Sequence, residues 1–231
     1  MKTQFDYVDE NYKRIVYNLN EAKVKSGREN DSIEIMAVTK TVDPSVVNHA
    51  VSSCGIKVLG ENRVQEYLSK KDEYLPASVH FIGQLQTNKV KYIIDSVDMI
   101  QSVDSLKLAA EIDRHANRIG KTIDILCEVN IAGEESKGGT EPEKLEELLY
   151  DISKLKNIKV CGLMTVPPAV NSEKFLLKMQ ELYIDISSKK IDNINMNVLS
   201  MGMSGDYEKA VKYGSTIVRI GSALFGARVY K

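Results

Sequence analysis

From about residue 33 to the end of the chain, short apolar runs alternate with amphipathic, helix-forming stretches, and the alternation repeats eight times. The runs fall at residues 33–38, 57–59, 80–83, 99–103, 123–129, 160–166, 197–201 and 216–220. Strands separated by helices pair in parallel through right-handed crossovers. Eight such units in about 200 residues predict an α/β fold, a single (β/α)8 barrel of the TIM type. The second run is very short. If it or another is no strand, an open doubly wound sheet is the alternative.

Ahead of the repeats, residues 4–25 predict an extra N-terminal helix. Phe5, Val8, Tyr12, Ile15, Leu19 and Ala22 recur at spacings of three and four, and Gly27 follows. This helix is expected to pack against the barrel's outside or to close its bottom. Further helix starts are marked by Asp43 before Pro44, by Asp104 before Ser105, by Ser172, and by Thr140 with Glu143 as a capping box; Gly120 marks a stop. No linker or compositional break divides residues 1–231, so one domain is expected.

A formal net charge of −1 gives no general attraction to nucleic acid or anionic lipid. The N-terminus carries acids and no apolar signal core, and no stretch approaches the roughly 20 apolar residues that span a bilayer. Cys54, Cys127 and Cys161 are scattered, which suits neither a disulfide framework nor a metal cluster. A reducing, cytoplasmic setting follows. No metal site is expected: His49, His80 and His115 fall on unrelated elements, and Met196, Met201 and Met203 read as packing.

Barrel active sites gather at the carboxyl ends of the strands, so the residues that end each run carry the chemistry. Lys40 closes the first run, either as a solubilising charge or as a reactive amine. Gly60-Glu61-Asn62 follows the second, and the third contains His80 and ends in Gly83-Gln84. Ser204-Gly205-Asp206 after the seventh run and Gly221-Ser222-Ala223 after the eighth read as capping turns or as a two-loop phosphate site. Arg219, between buried aliphatics, needs an acceptor, either a carboxylate or a ring nitrogen of a ligand.

AVTK (37–40), GENRVQE (60–66), HFIGQLQTNK (80–89), GLMTVP (162–167), LSMGMSGD (199–206) and VRIGSALFGAR (218–228) together resemble the pyridoxal-phosphate homeostasis protein family. Its bacterial members are the YggS-like proteins, and it is related to the N-terminal barrel of alanine racemase. The resemblance spans nearly the whole chain. It implies that Lys40 forms the aldimine with pyridoxal 5′-phosphate, that Ser204, Gly221 and Ser222 cradle the phosphate, and that Arg219 faces the pyridine nitrogen. It places Asn62 and His80 in the pocket wall and matches Lys137 to a second lysine that some relatives use in handling the cofactor. Val79 departs from the aromatic usual before the His-Phe pair, and Ser222 from the common threonine.

The residue chemistry agrees with that resemblance. A lysine at an apolar rim beside an arginine has its charged form disfavoured, as Schiff-base formation requires. A permanently protonated arginine at the ring nitrogen leaves the pyridine neutral, which restrains carbanion chemistry. A racemase of this kind takes its second base, a tyrosine, from another domain, and this sequence stops at Lys231, with Tyr207, Tyr213 and Tyr230 better read as packing residues. The expectation is therefore a monomeric cofactor carrier that buffers pyridoxal phosphate or hands it transiently to apo-enzymes, and not an enzyme. The alternatives are a weak racemase-type enzyme and, without the cofactor, a phosphometabolite enzyme.

Overall fold

β1 (Glu34–Val38) pairs in parallel with both β2 (Val58–Glu61) and β8 (Ile217–Ile220), so the sheet has no edge. Between them β3 (Ser78–Phe81), β4 (Met99–Val103), β5 (Ile123–Glu128), β6 (Ile158–Met164) and β7 (Ile194–Met203) follow in chain order and complete a closed eight-stranded barrel. The open-sheet alternative is thereby removed. These observations come from a computed structural model that describes residues 4–134 and 136–227.

Both faces of the sheet are covered, which is why the strands read as almost continuous apolar runs. Alternate residues point outward and inward. Outward-facing Ile35, Ala37, Leu59, Val218 and Ile220 pack under the helices that carry Val8, Val47, Val211 and Leu224, and Ile100, Ile125, Leu163 and Leu199 under the others. Inward-facing Met36, Val58 and Ile217 form one apolar layer, and Met99, Leu126, Cys161 and Met164 another. At Gly162 the pairing with β7 shifts register. A Cβ there would stand 1.8 Å from the Val198 carbonyl oxygen, so only glycine lets the two backbones meet.

Outside the strands lie α1 (Asp6–Lys25), α2 (Pro44–Cys54), α3 (Val64–Lys70), α4 (Leu106–Arg118), α5 (Leu145–Ile152), α6 (Ser172–Ser188), α7 (Tyr207–Lys212) and α8 (Ser222–Phe225). The extra helix α1 packs on the outside, against α2, α7 and α8, with Asn11 Nδ2 donating to the Leu224 carbonyl at 3.0 Å. The crossover between β3 and β4 is a 3-10 helix, Thr87–Tyr92, because this six-residue segment is held by i→i+3 bonds such as Ile93 N–H to Val90 O.

Several local expectations are corrected. α1 begins at Asp6 and not at residue 4, with Phe5 stacked on His49. Ser105, not Asp104, caps α4, its hydroxyl accepting from Leu108 N–H at 3.4 Å. Ser172 is the first helical residue of α6 and is buried, following Asn171 in the left-handed region. Thr140 and Glu143 form no capping box, since Thr140 extends the sheet: its N–H donates to Glu128 O, and its carbonyl accepts from Asn130 N–H. Gly120 does end α4. It stands at φ +64° while Lys121 N–H reaches back to Ala116 O. β2 and β7 run past the apolar residues at their carboxyl ends, to Glu61 and Met203, while β3 and β6 begin two residues earlier than their apolar runs and β1 one residue later.

Candidate functional site

Inward positions two residues further along each strand rise from the apolar layers to the barrel mouth. Met36 and Val38 lead to Lys40, Val58 and Gly60 to Asn62, and Ile217 and Arg219 to Gly221. These ends meet in a cavity of about 340 Å³ lined by Lys40, Asn62, Ser204, Arg219, Gly221 and Ser222, with Val38, Ile82, Val166, Met203 and Gly205 completing the wall. Six of the seven residues singled out in the sequence therefore share one cavity.

His80 is the exception and does not line it. Its strand neighbours are Gly60 and Met99, so it sits one layer below Asn62 and Ile82, inside the barrel. There Gln101 Nε2 donates to its Nδ1 at 2.9 Å. Burial pushes the His80 imidazole down to about 4, so the ring is neutral at physiological pH.

Arg219 is buried, with 3 % of its surface exposed, and its acceptors are neutral: Nη1 donates to Ser200 Oγ at 2.8 Å and Nη2 to the Thr165 carbonyl at 2.7 Å. Among the described residues no carboxylate forms an ion pair with it, so the carboxylate expected as one possibility is replaced by a hydroxyl and a carbonyl. Burial lowers its pKa to about 10, against the pull of Glu128 and Asp206, and the guanidinium stays charged. Ser200 Oγ in turn donates to Gln101 Oε1 at 2.8 Å, so a hydrogen-bonded chain crosses the barrel from Arg219 to His80.

At the other end of the cavity the backbone amides of Gly221 and Ala223 converge on Ser204 Oγ at 3.2 and 3.1 Å. The Ser204 loop is shaped by Asp206, whose carboxylate accepts from Met203 N–H at 2.7 Å. Asn62 Oδ1 is buried with no hydrogen-bond partner among the described residues, an acceptor that a ligand hydroxyl can satisfy. The backbone of Asn62 is held by Gly83: a Cβ at that position would lie 2.1 Å from the Asn62 carbonyl oxygen.

Lys137 pairs with Glu134 at 2.8 Å and donates to the carbonyl of Val166, a cavity residue, at 3.3 Å. Tyr207 is buried outside the barrel, and Tyr213 donates its hydroxyl to Glu173 at 2.8 Å; neither lines the cavity. Tyr230 and Arg228 lie outside the described residues. Among the described residues no group of acids, histidines and cysteines is arranged to hold a metal ion, and no helix is long and apolar enough to cross a membrane.

Residues 11–229 match the family model for the alanine racemase N-terminal domain. A pyridoxal phosphate homeostasis protein from Aquifex aeolicus is 43% identical over 227 residues, covering 96% of this chain and 98% of the relative. The chain belongs to the pyridoxal phosphate homeostasis protein family. Two solved structures resemble this member of the family closely. One is a protein of unknown function from Bifidobacterium adolescentis, with a TM-score of 0.91, 32% identity, and coverage of 97% of this chain and 98% of that one. The other is PipY of Synechococcus elongatus with pyridoxal phosphate bound, with a TM-score of 0.78, 29% identity, and coverage of 90% and 100%.

Four residues that sequence reasoning passed over complete the site in this family member. Ser200 and Thr165 hold Arg219, and Gln101 holds Ser200. Glu128, half-buried at the end of β5, has its carboxyl pushed up to about 7 by burial, with Arg219 pulling the other way. All four were visible as polar residues within or just after apolar strands.

Proposed function

We propose that this chain binds pyridoxal 5′-phosphate in the cavity, carries it on Lys40, and serves intracellular homeostasis of the cofactor by buffering it or passing it to apo-enzymes. The observation that carries this reading is the meeting of one lysine, one buried arginine and a hydroxyl-and-amide cradle in a single cavity of about 340 Å³. Its similarity to homeostasis proteins and to PipY, solved with pyridoxal phosphate, supports it.

The residues fit the group. When bound, pyridoxal phosphate supplies an aldehyde that condenses with a primary amine, and Lys40 is the only lysine lining the cavity among the described residues. Ser204 and Ser222 offer a hydroxyl pair to a phosphate, beside the Gly221 amide that donates to Ser204 Oγ. Arg219, fixed by Ser200 and Thr165, keeps its protons and so donates a hydrogen bond to the ring nitrogen without protonating it. The unsatisfied Asn62 oxygen suits a hydroxyl donor on the ring. His80 lies below and ends the hydrogen-bonded chain that runs from Arg219 through Ser200 and Gln101.

Reducing the loaded protein with borohydride and mapping the modified peptide tests this reading. A pyridoxyl mark on Lys40 is expected, and one found elsewhere, or nowhere, sinks it.

The match to the alanine racemase N-terminal domain favours a second reading, a weak racemase-type enzyme. Incubation with L-amino acids in deuterium oxide separates the two. An enzyme washes deuterium into the α position faster than the free cofactor does. The first reading also takes residues 1–231 as one working domain, monomeric and cytoplasmic, with neither nucleic acid nor membrane as a partner.

A further inference from the structure

Lys40 stands just past β1 in a β-turn closed by the bond from Val42 N–H to the Thr39 carbonyl at 3.0 Å. The third residue of that turn, Thr41, has φ +62°. Glycine or asparagine normally takes this left-handed position, and a β-branched residue there is strained. Something must hold the turn in place.

Contacts on both sides of Lys40 do so. Upstream, Thr39 N–H donates to Gly60 O at 3.1 Å, and its hydroxyl donates to the buried Glu61 carboxylate at 2.6 Å. Tyr74 hydroxyl donates to the same Glu61 oxygen at 2.6 Å. Downstream, Glu66 Oε1 accepts from Thr41 N–H and also from Lys70 Nζ, whose ammonium reaches the Thr39 carbonyl at 3.4 Å. The Glu66 and Lys70 side chains are only 18 % and 14 % exposed, well shielded from solvent. One ion pair on α3 thus grips the backbone on either side of the cavity lysine.

We infer that Glu66 and Lys70 are positioning residues: they hold the strained turn, residues 39–42, and so set the direction in which the Lys40 amine enters the cavity. This rests on the reading that Lys40 carries pyridoxal phosphate. Neither residue lines the cavity around Lys40, so both act through the turn and not on the ligand.

The clamp predicts a rescue that ordinary destabilisation does not. In Glu66→Ala the turn relaxes toward negative φ, and pyridoxal phosphate affinity falls roughly tenfold, the size of effect that local backbone strain supports. Glycine adopts positive φ without a steric penalty. The double variant Glu66→Ala/Thr41→Gly is therefore expected to recover most of the lost affinity. The experiment titrates purified wild type and the variants with pyridoxal phosphate, follows absorbance, maps Lys40 after borohydride reduction, and records each melting temperature. If Glu66→Ala does not fold, Glu66→Gln and Lys70→Met, each with and without Thr41→Gly, carry the same expectation. Wild-type affinity in the clamp variants, or no recovery with Thr41→Gly, overturns the inference while leaving the function reading intact. A wild-type chain that takes up no pyridoxal phosphate overturns both.

Discussion

Gln101 Nε2 lies 2.9 Å from His80 Nδ1, and this contact has a direction that is set at the far side of the barrel by Arg219. A guanidinium can only donate, so Ser200 Oγ accepts from it and must give its own proton to Gln101 Oε1. The amide orientation is then fixed, its nitrogen faces His80, and the ring carries its proton on Nε2. Every donor along the chain points away from Arg219.

Replacing Gln101 with glutamate reverses the last step. A carboxylate cannot donate to His80 Nδ1, so a second proton on the ring becomes favourable and the imidazole titrates well above its present value of about 4. The His80 ring resonances followed by NMR against pH report this. An unmoved titration would show that the chain does not govern the ring.

The ligand-free protein should show two opposed pH dependences. His80 titrates near 4 when folded and near its ordinary 6.5 when unfolded, so the unfolded chain binds more protons between these values and stability rises with pH. Glu128 is raised to about 7 from 4.5, so the folded chain binds more protons and stability falls with pH. Each slope is about 1.4 kcal/mol per pH unit, and over their shared window they offset. His80→Gln should leave stability falling from pH 5 to 6.5, and Glu128→Gln should leave it rising. Urea midpoints at the two pH values are the measurement, and parallel slopes in both variants contradict the assignment.

Ser204→Ala removes the hydroxyl on which the Gly221 and Ala223 amides converge. A lost charge-assisted hydrogen bond costs about 1.5–3 kcal/mol, so affinity for pyridoxal phosphate should drop by roughly ten- to a hundredfold. Affinity for pyridoxal, which lacks the phosphate, should change little. Equal losses for both would move Ser204 out of the cradle.

Gly83→Ala drives a Cβ into the Asn62 carbonyl, 2.1 Å away, and both atoms belong to backbone. The clash should destabilise the chain by about 1–3 kcal/mol and displace Asn62 from the cavity. Calorimetry together with a pyridoxal phosphate titration reads both effects. An unchanged melting temperature would mean that the β3 end shifts freely.

Much of this was legible because parallel strands impose a two-residue period. Lys40, Asn62 and Gly221 each fall two residues beyond an inward position, so listing the strand ends was enough to find them. His80 was misplaced by height. Its parity is correct, but it pairs with Gly60 and not with Asn62, and register is set between strands. Gln101 and Ser200 are polar residues in apolar runs that sequence reasoning passed over; they come from β4 and β7, and only the closed barrel brings them within 2.8 Å. Thr140 and Glu143 satisfy a capping pattern, but the sheet claims the Thr140 backbone first.

The pairing of β1 with β8 joins Met36 to Arg219, two residues far apart in the chain. Lys40 precedes its cradle, Ser204 and Gly221-Ser222, by most of the barrel in order of synthesis, so a nascent chain can display the amine long before it can grip a phosphate. Ligand uptake therefore reports that the ring has shut. A ligand that binds only the closed form then stabilises that long-range seam by mass action.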